Sequence, residues 1–96
     1  TSTWSGYTAR QIARERPRLP IVALTPNEPV RRQLALVWGV QTLVVPQYSG
    51  TDEMLDVVSR ALIDAALAAP GDLIVVSAGI PFGGGGKTNF LKVHRL

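Results

Sequence analysis

Three short, uninterrupted apolar runs alternate along this chain with segments of helical periodicity, and this alternation constrains the fold more than any other feature. The runs cover residues 21–25, 42–45 and 73–76. Continuous apolar runs of this length are typical of strands covered on both faces. Apolar residues recur at helical spacing over residues 7–16, after Asn27 and after Thr51. After Asn27 the predicted buried stripe consists of Val30, Leu34, Val37 and Trp38. The pattern predicts an α/β class fold, with three α/β/α layers built on an open, mostly parallel sheet.

The ends of these segments carry their own signals. We expect Ser5 to cap the first helix, Asn27 the second and Thr51 the third. Residues 90–95 alternate between apolar and polar side chains, which predicts a half-exposed edge strand at the end of the chain. A helix so close to the first residue normally follows a strand, and we therefore expect the domain to begin upstream of Thr1, with that strand outside this chain.

Length and composition exclude several classes of protein. Ninety-six residues, 46% of them hydrophobic and 18% charged, predict one globular domain over residues 1–96. The absence of cysteine excludes a disulfide scaffold, a thiol nucleophile and a zinc finger, and it fits a cytoplasmic protein. No apolar run approaches the length of a membrane span, and we expect no membrane partner.

The net charge of +3 is unevenly distributed. Arginines dominate residues 1–32, whereas residues 33–86 hold a single arginine, Arg60, against five acidic residues. A nucleic-acid-binding domain would carry a continuous basic face and would bind with a steep dependence on salt. The polarised charge therefore predicts no nucleic-acid partner.

The first candidate site is the segment of residues 3–8, at the start of the first predicted helix. Its hydroxyl groups and glycine would surround free backbone N–H groups at the positive end of a helix dipole, where an anion such as phosphate binds. The alternative is that Ser5 simply caps the helix, as serine does in many proteins.

The second candidate site is the glycine-rich segment of residues 79–89. Its Gly86-Lys87-Thr88 sequence resembles the end of a phosphate-binding P-loop, but that motif requires glycine where Pro81 stands, and it leads into a helix rather than a strand. The segment is better interpreted as a loop that approaches a ligand through its backbone, or that only connects two strands.

The remaining polar residues predict no active site. His94 has no second histidine or cysteine with which to share a metal, and it is interpreted as a solvated or interface side chain. The acidic residues after Thr51 complement a helix dipole rather than form a metal site. The arginines of the first helix are interpreted as a solvated face or a subunit contact. We therefore predict no catalytic residue and no metal ligand.

Several separate motifs, taken in order, resemble one known family. They are Ser5-Gly6-Tyr7-Thr8-Ala9-Arg10, Arg16-Pro17, Pro20-Ile21-Val22-Ala23-Leu24-Thr25-Pro26-Asn27, Arg32-Gln33-Leu34-Ala35-Leu36-Val37-Trp38-Gly39-Val40, Gly71-Asp72-Leu73, Gly79-Ile80-Pro81-Phe82-Gly83, Thr88-Asn89 and Lys92-Val93-His94. Together they resemble the C-terminal domain of pyruvate kinase over nearly the whole chain.

This resemblance implies a domain for regulation and assembly. In the family, magnesium, potassium, ADP and phosphoenolpyruvate bind in a separate (β/α)₈ barrel, which would be a partner of this domain. The C-terminal domain has a five-stranded sheet with an antiparallel last strand, and its first strand and helix lie upstream of the serine-glycine segment. The upstream strand would be central in the sheet. The resemblance also implies a homotetramer that is assembled partly through the last strand.

In regulated members of the family, a phosphorylated effector binds between two loops. The matching residues here are Thr3, Ser5, Gly6 and Thr8 in one loop, and Gly83, Gly84, Gly85, Gly86, Lys87 and Thr88 in the other. Members that respond to fructose 1,6-bisphosphate often carry a lysine where this chain has Trp4, so the resemblance leaves the effector open. An alternative hypothesis is a free-standing α/β domain that binds a small phosphorylated metabolite and is not part of a kinase.

Overall fold

A computed structural model describes residues 1–80 and 87–96 of the chain. In chain order, the helices and strands within these residues are α1 (Tyr7–Arg14), β1 (Ile21–Thr25), α2 (Glu28–Leu34), β2 (Val40–Val44), α3 (Thr51–Asp64), β3 (Leu73–Ala78) and β4 (Phe90–Arg95). The alternation of helices and strands confirms the predicted α/β class. The bounds of β1 and β4 agree with the predicted strands, whereas β2 begins earlier and β3 extends further than expected.

The strands pair as two two-stranded sheets. β1 and β2 are parallel, with Ile21 opposite Val40, and β3 and β4 are antiparallel, with Ala78 opposite Phe90. The antiparallel last strand is as the family resemblance implied. A single sheet was expected, but no ladder joins β1 to β3 within the described residues.

Residues 1–3 connect the two sheets. The Leu24 N–H donates to the Thr1 carbonyl (2.8 Å), and the Thr3 N–H donates to the Leu24 carbonyl (2.9 Å). On the other side, the Ser2 N–H donates to the Ser77 carbonyl of β3 (2.8 Å). The segment thus lies between β1 and β3 like a short strand. Beside it, an apolar groove of about 520 Å³ separates the remaining parts of β1 and β3.

The three layers follow from the alternation of side chains along β1. Leu24 is buried in a core that includes Val58 and Leu62 of α3, together with Val76 of β3. Ala23, its neighbour in sequence, is buried on the opposite face against Ala9 of α1 and Leu34 of α2. Successive strand residues point to opposite faces, so one strand serves two cores. α1 and α2 therefore cover one face and α3 the other, which gives the three layers that were predicted.

Two expectations about helices were wrong. Trp38 was assigned to the buried stripe of α2, but α2 ends at Leu34 and Trp38 is 72% exposed. Its ring instead lies 4.2 Å from the guanidinium carbon of Arg16, as a cation–π contact. Thr51 was expected to cap α3, but the cap residue is Gly50 and Thr51 is the first helical residue.

The burial of the last two strands also differs from the prediction. Leu73 and Val75 of β3 are 59% and 60% exposed, although this strand was expected to be covered on both faces. They share a face of the antiparallel sheet with Leu91 and Val93, which are exposed as well. His94 lies on the covered face, with its Nε2 3.5 Å from the Ser59 hydroxyl of α3. The apolar side of the edge strand is therefore the uncovered one.

Candidate functional site

The site is built at the N-terminus of α1, around a glycine that the backbone requires. Gly6 is the residue before the helix and has a φ of +87°, in the left-handed region that favours glycine. A Cβ at this position would lie 3.1 Å from both Arg10 Nη1 and Leu34 Cδ2. Gly6 therefore allows the loop to approach α1 and α2 closely.

The predicted cap of α1 was wrong. Ser5 precedes the cap position, and its hydroxyl is 3.4 Å from the Tyr7 N–H, a long hydrogen bond. The shorter bond is donated by the Gly6 N–H to the hydroxyl of buried Thr3 (2.8 Å). Thr3 therefore shapes the turn, while the Ser5 side chain stays exposed at the helix end.

The electrostatics of this helix end favour an anion. The N–H groups of a first helical turn have no carbonyl partner within the helix, and they carry the positive end of the helix dipole. The first turn of α1 contains no acidic residue. No carboxylate of that turn therefore competes with an incoming phosphate or carboxylate.

Two further side chains hold the loop in place, and the sequence did not predict their roles. Asn27 occupies the expected cap position of α2, yet its side-chain amide donates to the Trp4 carbonyl (2.9 Å) instead of capping. Arg10 Nη1 lies 3.4 Å from the Ser5 carbonyl, which keeps a guanidinium beside the loop. The helical spacing of apolar residues does not indicate either contact, because the carbonyl groups of Trp4 and Ser5 lie outside the helix that Asn27 precedes and the helix that contains Arg10.

The structure brings the two predicted loops together at a pair of threonines. The hydroxyl oxygens of Thr8 and Thr88 are 2.6 Å apart, although the residues are 80 positions apart in sequence. Lys87, the neighbour of Thr88, is exposed. Gly83, Gly84, Gly85 and Gly86 were also predicted to belong to this site, and they lie outside the described residues. Of the predicted site, the described residues thus place one hydroxyl from each loop in contact.

The acidic residues after Thr51 lie at the start of α3, the position from which the sequence predicted that they complement the helix dipole. Asp52 and Glu53 lie in the first turn of that helix. The Glu53 carboxylate accepts hydrogen bonds from the Ser49 N–H and hydroxyl, both at 3.1 Å. Within residues 1–80 and 87–96, no three histidine, cysteine or acidic side chains converge as a metal site would require.

No helix in the described part of the chain is both long enough and apolar enough to cross a membrane.

The fold and the loop pair define this chain as an α/β domain with a candidate anion site at one helix end. Residues 1–94 match the family model described as the pyruvate kinase α/β domain. The chain therefore belongs to this family, which confirms the resemblance read from its motifs.

Individual relatives agree with the family model. The chain is 51% identical over 94 residues to a pyruvate kinase from Geobacillus stearothermophilus and 47% identical over 94 residues to one from Corynebacterium glutamicum. These alignments cover 98% of this chain, but only 16% and 20% of the two relatives. Its fold is similar to that of a pyruvate kinase crystal structure from Cryptosporidium parvum, with a TM-score of 0.82, 28% identity, and coverage of 98% of this chain and 18% of the other.

Proposed function

We propose that this chain is the regulatory and assembly domain of a pyruvate kinase and that it binds a phosphorylated small-molecule effector at the N-terminus of α1. The observation that carries the proposal is the contact between Thr8 and Thr88, because it brings two distant loops to a helix end without acidic residues. Phosphate groups bind at such helix ends through backbone N–H groups and hydroxyl donors.

We assign catalysis to a part of the full-length protein other than this domain. The chain spans about a fifth or less of the relatives that it matches, and we place the transfer of phosphate from phosphoenolpyruvate to ADP, with its magnesium and potassium, in a catalytic barrel outside residues 1–96. We assign no catalytic step to the residues of this domain. A cytoplasmic location follows from this glycolytic role.

Lys87 is the cation that we assign to the effector. It is exposed and adjoins Thr88, whose hydroxyl contacts Thr8 of α1, and we therefore assign its ammonium group to an anion at the α1 end. Thr3 and Gly6 shape the first loop, whereas Ser5, Thr8 and Thr88 offer hydroxyl groups. Gly83, Gly84, Gly85 and Gly86 complete the proposal from sequence alone.

A thermal-shift screen of sugar phosphates and nucleotides on the full-length protein tests this function. A ligand at 100 times its Kd stabilises the folded state by about 2.7 kcal/mol.

For a ligand that binds, Lys87→Ala should weaken affinity about 10-fold, since it removes a charge-assisted contact. Lys92→Ala, on β4, is the matched control and should leave affinity unchanged. Equal affinities of Lys87→Ala and the parent protein would remove Lys87 from the site.

We also propose that β4 contributes to a homotetramer. β4 pairs with β3 along one edge, and its exposed Leu91 and Val93 lie on the uncovered face of that sheet. An unpaired strand edge is a template for pairing with another chain. Val93→Lys should shift the full-length protein toward smaller assemblies in light scattering, and an unchanged mass would exclude this strand from the interface.

A further inference from the structure

The side-chain amide of Asn89, just before β4, is hydrogen-bonded to the backbone of Ile80, just after β3. The Ile80 N–H donates to Asn89 Oδ1, and Asn89 Nδ2 donates to the Ile80 carbonyl, both at 2.8 Å. The Asn89 backbone N–H also donates to the Ala78 carbonyl (3.1 Å). The amide therefore satisfies both backbone groups of Ile80, as a partner strand would.

This pairing begins where the antiparallel ladder stops. The last ladder pair joins Ala78 to Phe90, and the Asn89 side chain adds one further pair beyond it. At neutral pH, a side-chain amide offers a neutral donor and acceptor side by side in this way, whereas a carboxylate only accepts. Replacement of Asn89 by alanine would remove both hydrogen bonds, and the Ile80 backbone would lose its link to residue 89.

Thr88 stands between this amide and the end of α1. Its hydroxyl oxygen is 2.6 Å from that of Thr8, and it is the residue immediately before Asn89. The direction in which Thr88 leaves the sheet is thus set one residue away by two hydrogen bonds to Ile80. Thr88 itself is exposed, so burial does not fix its position.

We propose that Asn89 is a positioning residue, whose amide clamps Ile80 and thereby presents Thr88 to the N-terminus of α1. The proposal rests on the effector site described above for its functional consequence. It does not require Asn89 to touch the effector. It requires the contact between Thr8 and Thr88 to depend on the Asn89 amide.

The first experiment tests this dependence without a ligand. In the full-length protein, urea unfolding of Thr8→Val, Thr88→Val and the double variant gives the coupling between the two hydroxyls. The same cycle is repeated in an Asn89→Ala background, and amide hydrogen exchange of Ile80 is followed in both. We expect faster exchange at Ile80 and loss of the coupling in the Asn89→Ala background. Coupling that persists there would overturn the proposal, whether or not an effector binds.

The second experiment tests the functional consequence, with inorganic phosphate and fructose 1,6-bisphosphate as probes. Asn89→Ala should weaken the binding of a probe about 10-fold, as expected for a displaced hydrogen-bond donor. Asn89→Ala combined with Thr88→Val should bind no more weakly than Thr88→Val alone, because both changes remove the same contact. Gln41→Ala, an exposed amide on β2, is the control and should not change affinity.

The two failures are distinguishable. If the parent protein binds neither these probes nor any compound of the thermal-shift screen, the proposed effector site is wrong, while the coupling cycle still decides the role of Asn89. If the parent protein binds and additive losses are measured for Asn89→Ala and Thr88→Val, Asn89 acts independently of Thr88 and the positioning role is overturned.

Discussion

The N-termini of α1 and α3 are built in similar ways but differ in the charge of their first turns. In each helix the cap residue is a glycine, Gly6 or Gly50, which has no side chain to cap the first turn. At α3, Asp52 and Glu53 supply negative charge from within the chain, and Glu53 bonds to Ser49. At α1 the first turn has no acid. The α3 end receives negative charge from its own first turn, whereas the α1 end, which has none, is the one to which we assign an external anion.

The difference extends to the two glycines. Gly50 has extended backbone angles and open space where a Cβ would lie, whereas Gly6 has a positive φ and close neighbours. At α3 the glycine is replaceable in principle. At α1 it is demanded by the approach of the loop to Arg10 and Leu34.

The largest effect is expected for Gly6→Ala. The substitution places a Cβ at positive φ and 3.1 Å from Leu34 Cδ2, and we expect a loss of about 2 kcal/mol in the free energy of unfolding. Gly50→Ala is the matched change at α3 and should cost less than about 1 kcal/mol. Urea unfolding of both variants measures the difference, and equal losses would show that the two helix ends have the same backbone requirement.

The next largest effect is expected for Ser5→Asp, which gives α1 the kind of charge that α3 already has. The carboxylate should raise the free energy of unfolding by about 0.5 kcal/mol and weaken binding of inorganic phosphate or a sugar phosphate about 10-fold through repulsion. Ser5→Asn has a similar size without the charge, and it should retain most of the affinity. Calorimetric titration distinguishes them, and undiminished binding by the aspartate variant would move the anion away from α1.

A smaller effect is expected for Glu53→Gln at the start of α3. Loss of the charge near the helix dipole and of the charged acceptor for Ser49 should cost about 0.5–1 kcal/mol. Asp64→Asn, at the other end of the same helix, should be neutral or slightly stabilising because the dipole has the opposite sign there. Thermal unfolding tests the pair, and a loss of stability in the second variant would contradict the dipole explanation.

The smallest effect is expected at α2, where the charges are already paired. The Arg31 guanidinium hydrogen-bonds to Glu28 and lowers the pKa of that carboxyl. Because the folded-state pKa is depressed, the pair contributes stability above the unfolded-state pKa of the glutamate, and this contribution is lost as the pH falls through the folded-state pKa. The small difference in stability between the parent protein and Glu28→Gln should therefore vanish in acid. A difference that grows in acid would contradict this assignment.

The sequence predicted the layered fold well, because burial leaves a local signature. The continuous run of β1 identified a strand covered on both faces, and Ala23 and Leu24 do lie in opposite cores. The same rule was wrong for β3, whose Leu73 and Val75 are exposed. An apolar run records which faces suit burial, whereas the elements that cover each face are set by the rest of the fold.

From its residues alone the candidate site was predictable only as two separate loops, and it was the family resemblance that implied one site between them. Glycine and hydroxyl residues before a helix fit either an anion-binding helix end or a simple cap, and the sequence left both interpretations open. The sequence assigned Asn27 to a cap and Trp38 to a core, because both positions fit the helical pattern. Asn27 instead donates to Trp4, and Trp38 lies against Arg16. Contacts of this kind join separate elements, and periodicity within one element carries no information about them.

By itself, the sequence determined the alternation of helices and strands, the family and the requirement for particular residue types at the start of α1. These properties depend on local backbone preference and on the spacing of apolar side chains, and both are readable along the chain. Only the tertiary structure decided that Thr8 meets Thr88, that Asn89 pairs with Ile80 and that Asn27 donates to the Trp4 carbonyl. Hydrogen bonds act over about 3 Å, so whether two residues form one depends on how the packed layers bring their elements together.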